Sequence, residues 1–220
     1  LARLVPGERV LVHAAAGGVG MAAVQLALRH GVTVYATAGS PEKRERLRAM
    51  GVAGVMDSRT LAFADEVLQA TNGEGVHVVL NSLAGEFIPA SLRTLAPGGR
   101  FLELGKRDVW TAEAVTAVRA DVHYHPYDLG SELAAHPALL PPMIDALLAG
   151  LADGSLSPLP VTVFDMTSAT DAMRHMAQAR HIGKIVLRWP DAEAQPLVSS
   201  GASYWITGAF GGLGLETAGW

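Results

Sequence analysis

Val10-Leu11-Val12-His13-Ala14-Ala15-Ala16-Gly17-Gly18-Val19-Gly20 decides the fold of this chain. An apolar run of strand length, residues 10–14, enters a Gly-rich turn. The turn opens residues 19–30, whose apolar positions recur at helical spacing until Gly31 stops them. Ala15-Ala16-Gly17-Gly18-Val19-Gly20 fits the G-x-G-x-x-G dinucleotide fingerprint with Ala at the first Gly. The spacing has a physical basis. A tight strand-to-helix turn aims backbone N–H groups and a helix N-terminus at a pyrophosphate. A Cβ at the second Gly obstructs that approach, and the third Gly lets helix and strand pack. The alternative is a Gly-rich turn with no ligand. Context weighs against it: a strand before, an amphipathic helix after, and a second β-rich run at 33–37.

Outward from this loop, strand-like and helix-like segments alternate. Ser40-Pro41-Glu42 is a helix start, with a cap, Pro at the first helical position and an acid, and that helix runs to about Met50 and Gly51. Residues 76–80 and 100–104 read as strands, separated by a helix at 87–95 and the turn Pro97-Gly98-Gly99. With a third strand ending before Arg59, residues 122–127 supply a sixth strand. Beyond it, 139–148 reads as a helix, 161–164 as a strand, 168–178 as a helix and 185–187 as a last strand. The alternation implies an α/β fold of the Rossmann type, a doubly wound parallel sheet.

The composition agrees. Half of the 220 residues are apolar, only 17% are charged, and Gly numbers 24, as suits a buried parallel sheet under close-packed helices. A net charge of −4 without a basic run argues against a nucleic-acid partner. No apolar run approaches the roughly 20 residues of a membrane span. The chain has no cysteine, which excludes disulfides and cysteine-ligated metal and fits a reducing, cytoplasmic setting. Leu1-Ala2-Arg3-Leu4-Val5-Pro6-Gly7 has no signal-peptide features and reads as the interior of a longer chain.

The second strand bears on the cofactor. NAD sites usually place Asp or Glu there for the ribose hydroxyls, yet Ala36-Thr37-Ala38-Gly39-Ser40 carries no acid. Ser40 and Lys43 follow at a helix start, where a 2′-phosphate would meet a hydroxyl, a helix N-terminus and a cation, and Arg59 offers a second cation. The expectation is therefore NADPH rather than NADH, with Thr37 beside the site. Lys43 alone reads equally well as a solvated helix charge, so the missing acid is the stronger signal.

Residues 189–203 change character to Pro, Asp, Glu, Gln and Ser and read as a linker. After it, Thr207-Gly208-Ala209-Phe210-Gly211-Gly212-Leu213-Gly214 follows the short run Tyr204-Trp205-Ile206 and is a second dinucleotide fingerprint, TGxxxGxG. Residues 204–220 hold only a strand, a turn and a few further residues, too little to bury an apolar face.

Taken together, these motifs resemble a known family. Residues 13–20, Asn81-Ser82-Leu83-Ala84-Gly85, Gly105-Lys106-Arg107-Asp108 and His181-Ile182-Gly183-Lys184-Ile185-Val186-Leu187 are similar to the enoyl reductase domain of modular type I polyketide synthases. Those domains are zinc-free members of the medium-chain reductase superfamily. The segment 204–220 resembles the first residues of a ketoreductase domain of the short-chain type. The resemblance implies three parts: 1–188, the cofactor-binding part of an enoyl reductase whose substrate-binding subdomain is missing; 189–203, a linker; and 204–220, a truncated ketoreductase start.

It further implies NADPH-dependent reduction of the 2,3 double bond of a trans-2-enoyl thioester. The partners would be an acyl carrier protein bearing that substrate and the other domains of the same synthase chain. Lys106, after the fifth strand, is by resemblance a candidate proton donor, and Asp128, after the sixth, the matching acid. Lys106 also reads as a phosphate counter-charge, and Asp128 as a cap or turn residue. Asn81, Ser82 and Leu83 should pass beside the ribose or nicotinamide, with the backbone of Leu104 and Gly105. His123-Tyr124-His125 puts two imidazoles on one face of a strand, but no third ligand is apparent and no metal is expected. His13 reads as packing. Two other readings stay open: a free-standing zinc-free quinone or enone reductase, and a cofactor-binding fragment without activity.

Overall fold

The computed structural model describes residues 2–189, so most of the linker and the second Gly-rich turn at 204–220 lie outside the described residues. In chain order the first half contains β1 (Arg9–Val12), α1 (Gly18–Arg29), β2 (Thr33–Ala38), α2 (Pro41–Ala49), β3 (Gly54–Asp57), α3 (Phe63–Ala70), β4 (Val76–Asn81), α4 (Phe87–Arg93) and β5 (Leu95–Glu103). The second half contains α5 (Ala112–Val118), β6 (His123–Pro126), α6 (Leu129–Ala135), α7 (Leu140–Ala152), β7 (Val161–Asp165), α8 (Ala169–Ala177) and β8 (Lys184–Arg188).

Six strands form one sheet in the order β3-β2-β1-β4-β5-β6, every pairing parallel. This is the doubly wound Rossmann order, which reverses between β1 and β4 and opens a crevice at the strands' carboxyl ends. Two apolar layers cover the sheet. Val24 and Ala27 of α1 and Leu47 of α2 pack with Val10, Val12 and Val34 on one face. Phe63 and Val67 of α3, Ile88 and Leu92 of α4 and Val115 of α5 pack with Leu11, Val79 and Phe101 on the other. Central strands buried on both faces explain the unbroken apolar runs.

The structure departs from the sequence reading in three places. β5 begins at Leu95 and runs through Pro97-Gly98-Gly99, which is an irregularity inside the strand, not a turn before it: Val76 pairs with Leu95, yet Val78 pairs with Arg100. Helices α3, α5 and α6 have no counterpart in the sequence reading; each has only seven or eight residues, which weakens a periodic signal, although the equally short α4 was read. The last two strands do not join the main sheet, but pair with each other as a separate two-stranded parallel sheet.

Candidate functional site

The first Gly-rich turn lies at the carboxyl end of β1. Ala14 adopts a left-handed φ of 47°. The Ala15 N–H donates to Thr37 O (2.9 Å) and the Gly17 N–H to Ala14 O (3.0 Å), which folds the loop back on itself. Gly17 is the N-cap of α1. No side chain caps this helix and no acid sits in its first turn, so among the described residues nothing of opposite charge answers its orphan N–H groups and positive dipole end. That is the cradle a bound anion would complete.

Beneath the loop sits His13, 3% exposed. Its Nδ1 is 3.0 Å from Thr37 Oγ1 and its Nε2 is 2.8 Å from Ser91 Oγ. Burial pushes its pKa down from 6.5 to about 3, so the ring is neutral and structural. Thr37 is likewise fully buried, and its hydroxyl also approaches the Ala14 N–H at 3.4 Å. It orders the loop from below, with its side chain turned away from the cleft.

A cleft of about 370 Å³ runs along the edge of β1 and β2, lined by Gly17, Ser40, Lys43, Arg59, Leu83 and His181 among others. Ser40 caps α2, accepting from the Lys43 N–H at 3.4 Å. Gly39 leaves room for a cation: a Cβ there would stand 2.6 Å from Arg59 Nε. Burial, then the neighbouring Arg59 charge, lowers the Lys43 pKa, while Glu42 works the other way. Two cations held this close repel each other, and an anion between them would relieve the repulsion.

The far wall of this cleft comes from a distant part of the chain, which the sequence reading did not assign to it. The Gly183 N–H donates to Ala16 O (2.8 Å), Gly17 and Gly183 form a parallel bridge, and Lys43 Nζ donates to Ala179 O (2.6 Å). His181 sits on that wall; only the short motif at 181–187 hinted at it.

At the ends of β4 and β5, Asn81 Nδ2 donates to Leu83 O (2.8 Å) and to Glu103 Oε2 (2.7 Å), and the Gly105 N–H donates to Glu103 Oε1 (2.6 Å). Sequence reasoning chose Asn81, Leu83 and Gly105 but missed Glu103. The available signal was an acid directly after Phe101-Leu102, at the buried end of the strand. Ser82 is exposed, and Leu83, Leu104 and Gly105 are half-buried.

Lys106 Nζ lies 2.6 Å from Asp128 Oδ2 in an exposed pair. Asp128 is also the N-cap of α6, accepting from the Ser131 N–H at 2.7 Å. The Lys106 hydrogen bond, then Ser131, holds its carboxyl well below the usual carboxylate range. The acid therefore does two things at once, capping a helix and holding the lysine. Lys43, Arg59 and the loop thus gather at one end of the crevice, and Asn81, Leu83, Gly105 and Lys106 edge the strand ends toward β6. Among the described residues no group of three or more His, Asp or Glu is placed to hold a metal ion.

Comparison with known proteins places this geometry. The zinc-binding dehydrogenase family model matches residues 18–125. Its metal does not fit the donor set, which has no cysteine and only His123 and His125 paired on the edge strand. The chain is 48% identical over 229 residues to a phenolphthiocerol/phthiocerol polyketide synthase of Mycobacterium tuberculosis, covering 99% of this chain and 10% of that one. It therefore spans about a tenth of that protein's length. The crystal structure of CurK enoyl reductase superposes with a TM-score of 0.82 at 50% identity, over 86% of this chain and 57% of that one. The nucleotide-binding subdomain of the enoylreductase domain of PpsC from Mycobacterium tuberculosis matches with a TM-score of 0.63 at 50% identity, over 70% of this chain and 88% of that one. With the Rossmann order, the uncapped helix at the Gly-rich turn and these matches in agreement, the chain belongs to the enoyl reductase domains of polyketide synthases.

Proposed function

We propose that this chain is the cofactor-binding part of an enoyl reductase that uses NADPH to reduce the 2,3 double bond of a trans-2-enoyl thioester carried by an acyl carrier protein during polyketide elongation. One observation carries the reading: an uncapped helix N-terminus at Gly17–Gly20 opens into a cleft that ends at Ser40, Lys43 and Arg59, with no acid on the second strand. This order fits a pyrophosphate followed by a 2′-phosphorylated adenosine. Ala15, Ala16, Gly17, Gly18, Val19 and Gly20 would hold the pyrophosphate. Ser40, Lys43 and Arg59 would hold the 2′-phosphate, with Thr37 supporting from below. Asn81, Ser82, Leu83, Leu104 and Gly105 would flank the nicotinamide half. The bound dinucleotide supplies the hydride, delivered to Cβ of the substrate.

The chain's own residues then do the rest. They fix the cofactor's position at the strand ends and deliver a proton to Cα. Lys106 is the donor in this reading. Asp128, held ionised by its partners, anchors the lysine at the β5–β6 edge. The partners proposed are the acyl carrier protein and the remaining domains of a synthase chain, in the cytoplasm.

A second reading, a chain that binds cofactor without turning over, has one observation in its favour: it spans 57% of the CurK enoyl reductase. Titrating the chain with NADPH and NADH, followed by cofactor fluorescence, tests the binding half of the proposal. Binding of NADPH at least ~10-fold tighter than NADH is expected from a charge-assisted phosphate contact. Equal affinities would overturn the 2′-phosphate assignment. Turnover of a soluble enoyl thioester separates the enzyme from the inactive binder.

A further inference from the structure

The ends of β4, β5 and β6 are tied together around one buried carboxylate. Asn81 stands opposite Glu103 in the parallel register. Glu103 is 1% exposed, among the least accessible side chains of the sheet. Among the described residues no cation pairs with it. Burial raises its pKa, and the hydrogen bonds from the Asn81 amide and the Gly105 N–H oppose that. Both carboxylate oxygens are occupied, one by each donor.

The neighbouring bonds extend the tie. Leu83 N–H donates back to Asn81 Oδ1 (3.2 Å), Leu104 N–H to Asn81 O (2.9 Å), and Tyr127 N–H to Glu103 O (2.8 Å). Lys106 Nζ lies 3.3 Å from Tyr127 O, so the lysine's own anchor is attached to the same knot. The position needs an acceptor-only group, because both partners present N–H. A glutamine of the same shape offers one oxygen and one NH₂ and must set donor against donor at one end. An apolar side chain would fill the space but leave two buried N–H groups orphaned.

We propose that Glu103 is a positioning residue for the nicotinamide half of the dinucleotide, clamping the 81–83 and 104–106 backbone segments at one separation so that the edge bearing Leu83 and Lys106 is set before cofactor arrives. This rests on the dinucleotide reading above. It adds a buried residue that touches neither cofactor nor substrate in that reading. Preorganised strand ends hold a ligand to within fractions of an ångström, and loosening one such support lowers affinity at that end first.

The test separates the two ends of the cleft. The full 220-residue chain is titrated with 2′,5′-ADP, which carries the phosphorylated adenosine but no nicotinamide, and with NADPH, read by nicotinamide fluorescence. For Glu103→Gln the expected result is 2′,5′-ADP binding within about twofold of wild type and NADPH binding weakened about tenfold, the size of one lost charge-assisted hydrogen bond. The nicotinamide emission should shift back toward that of free NADPH. Glu103→Asp keeps the charge but is one methylene short of bridging both donors, so it should show the same split in smaller degree. It also serves if the Gln variant fails to fold.

Parallel weakening of both probes would reveal a merely structural role and overturn the proposal. So would NADPH binding that is unchanged in both variants while wild type binds both probes. A wild type that binds neither probe would overturn the dinucleotide reading itself, and this proposal with it.

Discussion

Gly20→Ala and Gly17→Ala should fail in opposite ways. A Cβ built at Gly20 stands 2.5 Å from Ala15 Cα, 2.7 Å from Ala14 O and 2.8 Å from Ala15 C, all of them backbone. No side chain can turn aside, so α1 must retreat from the end of β1 by roughly 1 Å to restore van der Waals contact. That retreat loosens Met21 and Val24, which pack at the foot of the same helix. Overpacking of this kind costs roughly 1–3 kcal/mol. In a domain of this size each kcal/mol lowers Tm by roughly 2–4 °C, so a fall of roughly 2–12 °C is expected.

Gly17 differs. Its φ of −80° is open to any residue. A Cβ there meets only Ala14 O, at 3.4 Å, an ordinary contact. Gly17→Ala should therefore melt like wild type yet bind NADPH at least ~10-fold more weakly, because the methyl sits where the pyrophosphate must approach the loop. Thermal melts with and without NADPH, alongside fluorescence titrations, report both quantities. A Gly20→Ala variant with unchanged Tm would refute the packing argument. A Gly17→Ala variant with wild-type affinity would refute the pyrophosphate site.

Three further outcomes are expected. Lys43→Ala should lower NADPH affinity about tenfold and leave NADH affinity within about twofold; an unchanged ratio in the titration would count against the 2′-phosphate site. Lys106→Ala, made in an intact enoyl reductase domain carrying this segment, should reduce kcat by roughly 100-fold with NADPH binding retained; wild-type turnover would remove Lys106 from proton delivery. The third concerns acid. The unfolded chain protonates His13 below about 6.5, whereas the folded chain refuses that proton until about 3. This residue's contribution to stability is thus complete above 6.5 and falls by about 1.4 kcal/mol per pH unit on acidification through that window. Urea melts between pH 7 and 5.5 should show a shallower loss for His13→Gln, and identical slopes would exclude the mechanism.

What was legible in the sequence was local. The Gly-rich strand-to-helix turn, the Ser40-Pro41 helix start and the apolar strands each announce themselves through near neighbours, and their alternation implies the parallel sheet. Three kinds of feature were not legible. Helices of seven or eight residues such as α3, begun at Ala62 without a side-chain cap, carry too little periodicity. The β5 irregularity looked like a turn because Pro97-Gly98-Gly99 is turn chemistry wherever it occurs; only pairing with β4 keeps it in the strand. Glu103 and the Ala179–Gly183 wall acquire meaning from partners far away in sequence, as with Lys43 and Ala179. Thr37 shows the converse: its position was marked, but the use of its hydroxyl, on His13, depends on a contact no spacing rule contains.

The bridge between Gly17 and Gly183 has a consequence for the order of events in biosynthesis. A ribosome releases the first Gly-rich turn early and its covering wall late, with nearly the whole described chain in between. Contacts of such separation form late, after local ones have paid little loop-closure entropy. The nascent sheet would thus exist for a time with its anion cradle open on one side. The cleft at the first Gly-rich turn would close only when the 179–183 turn settles onto residues laid down near the start.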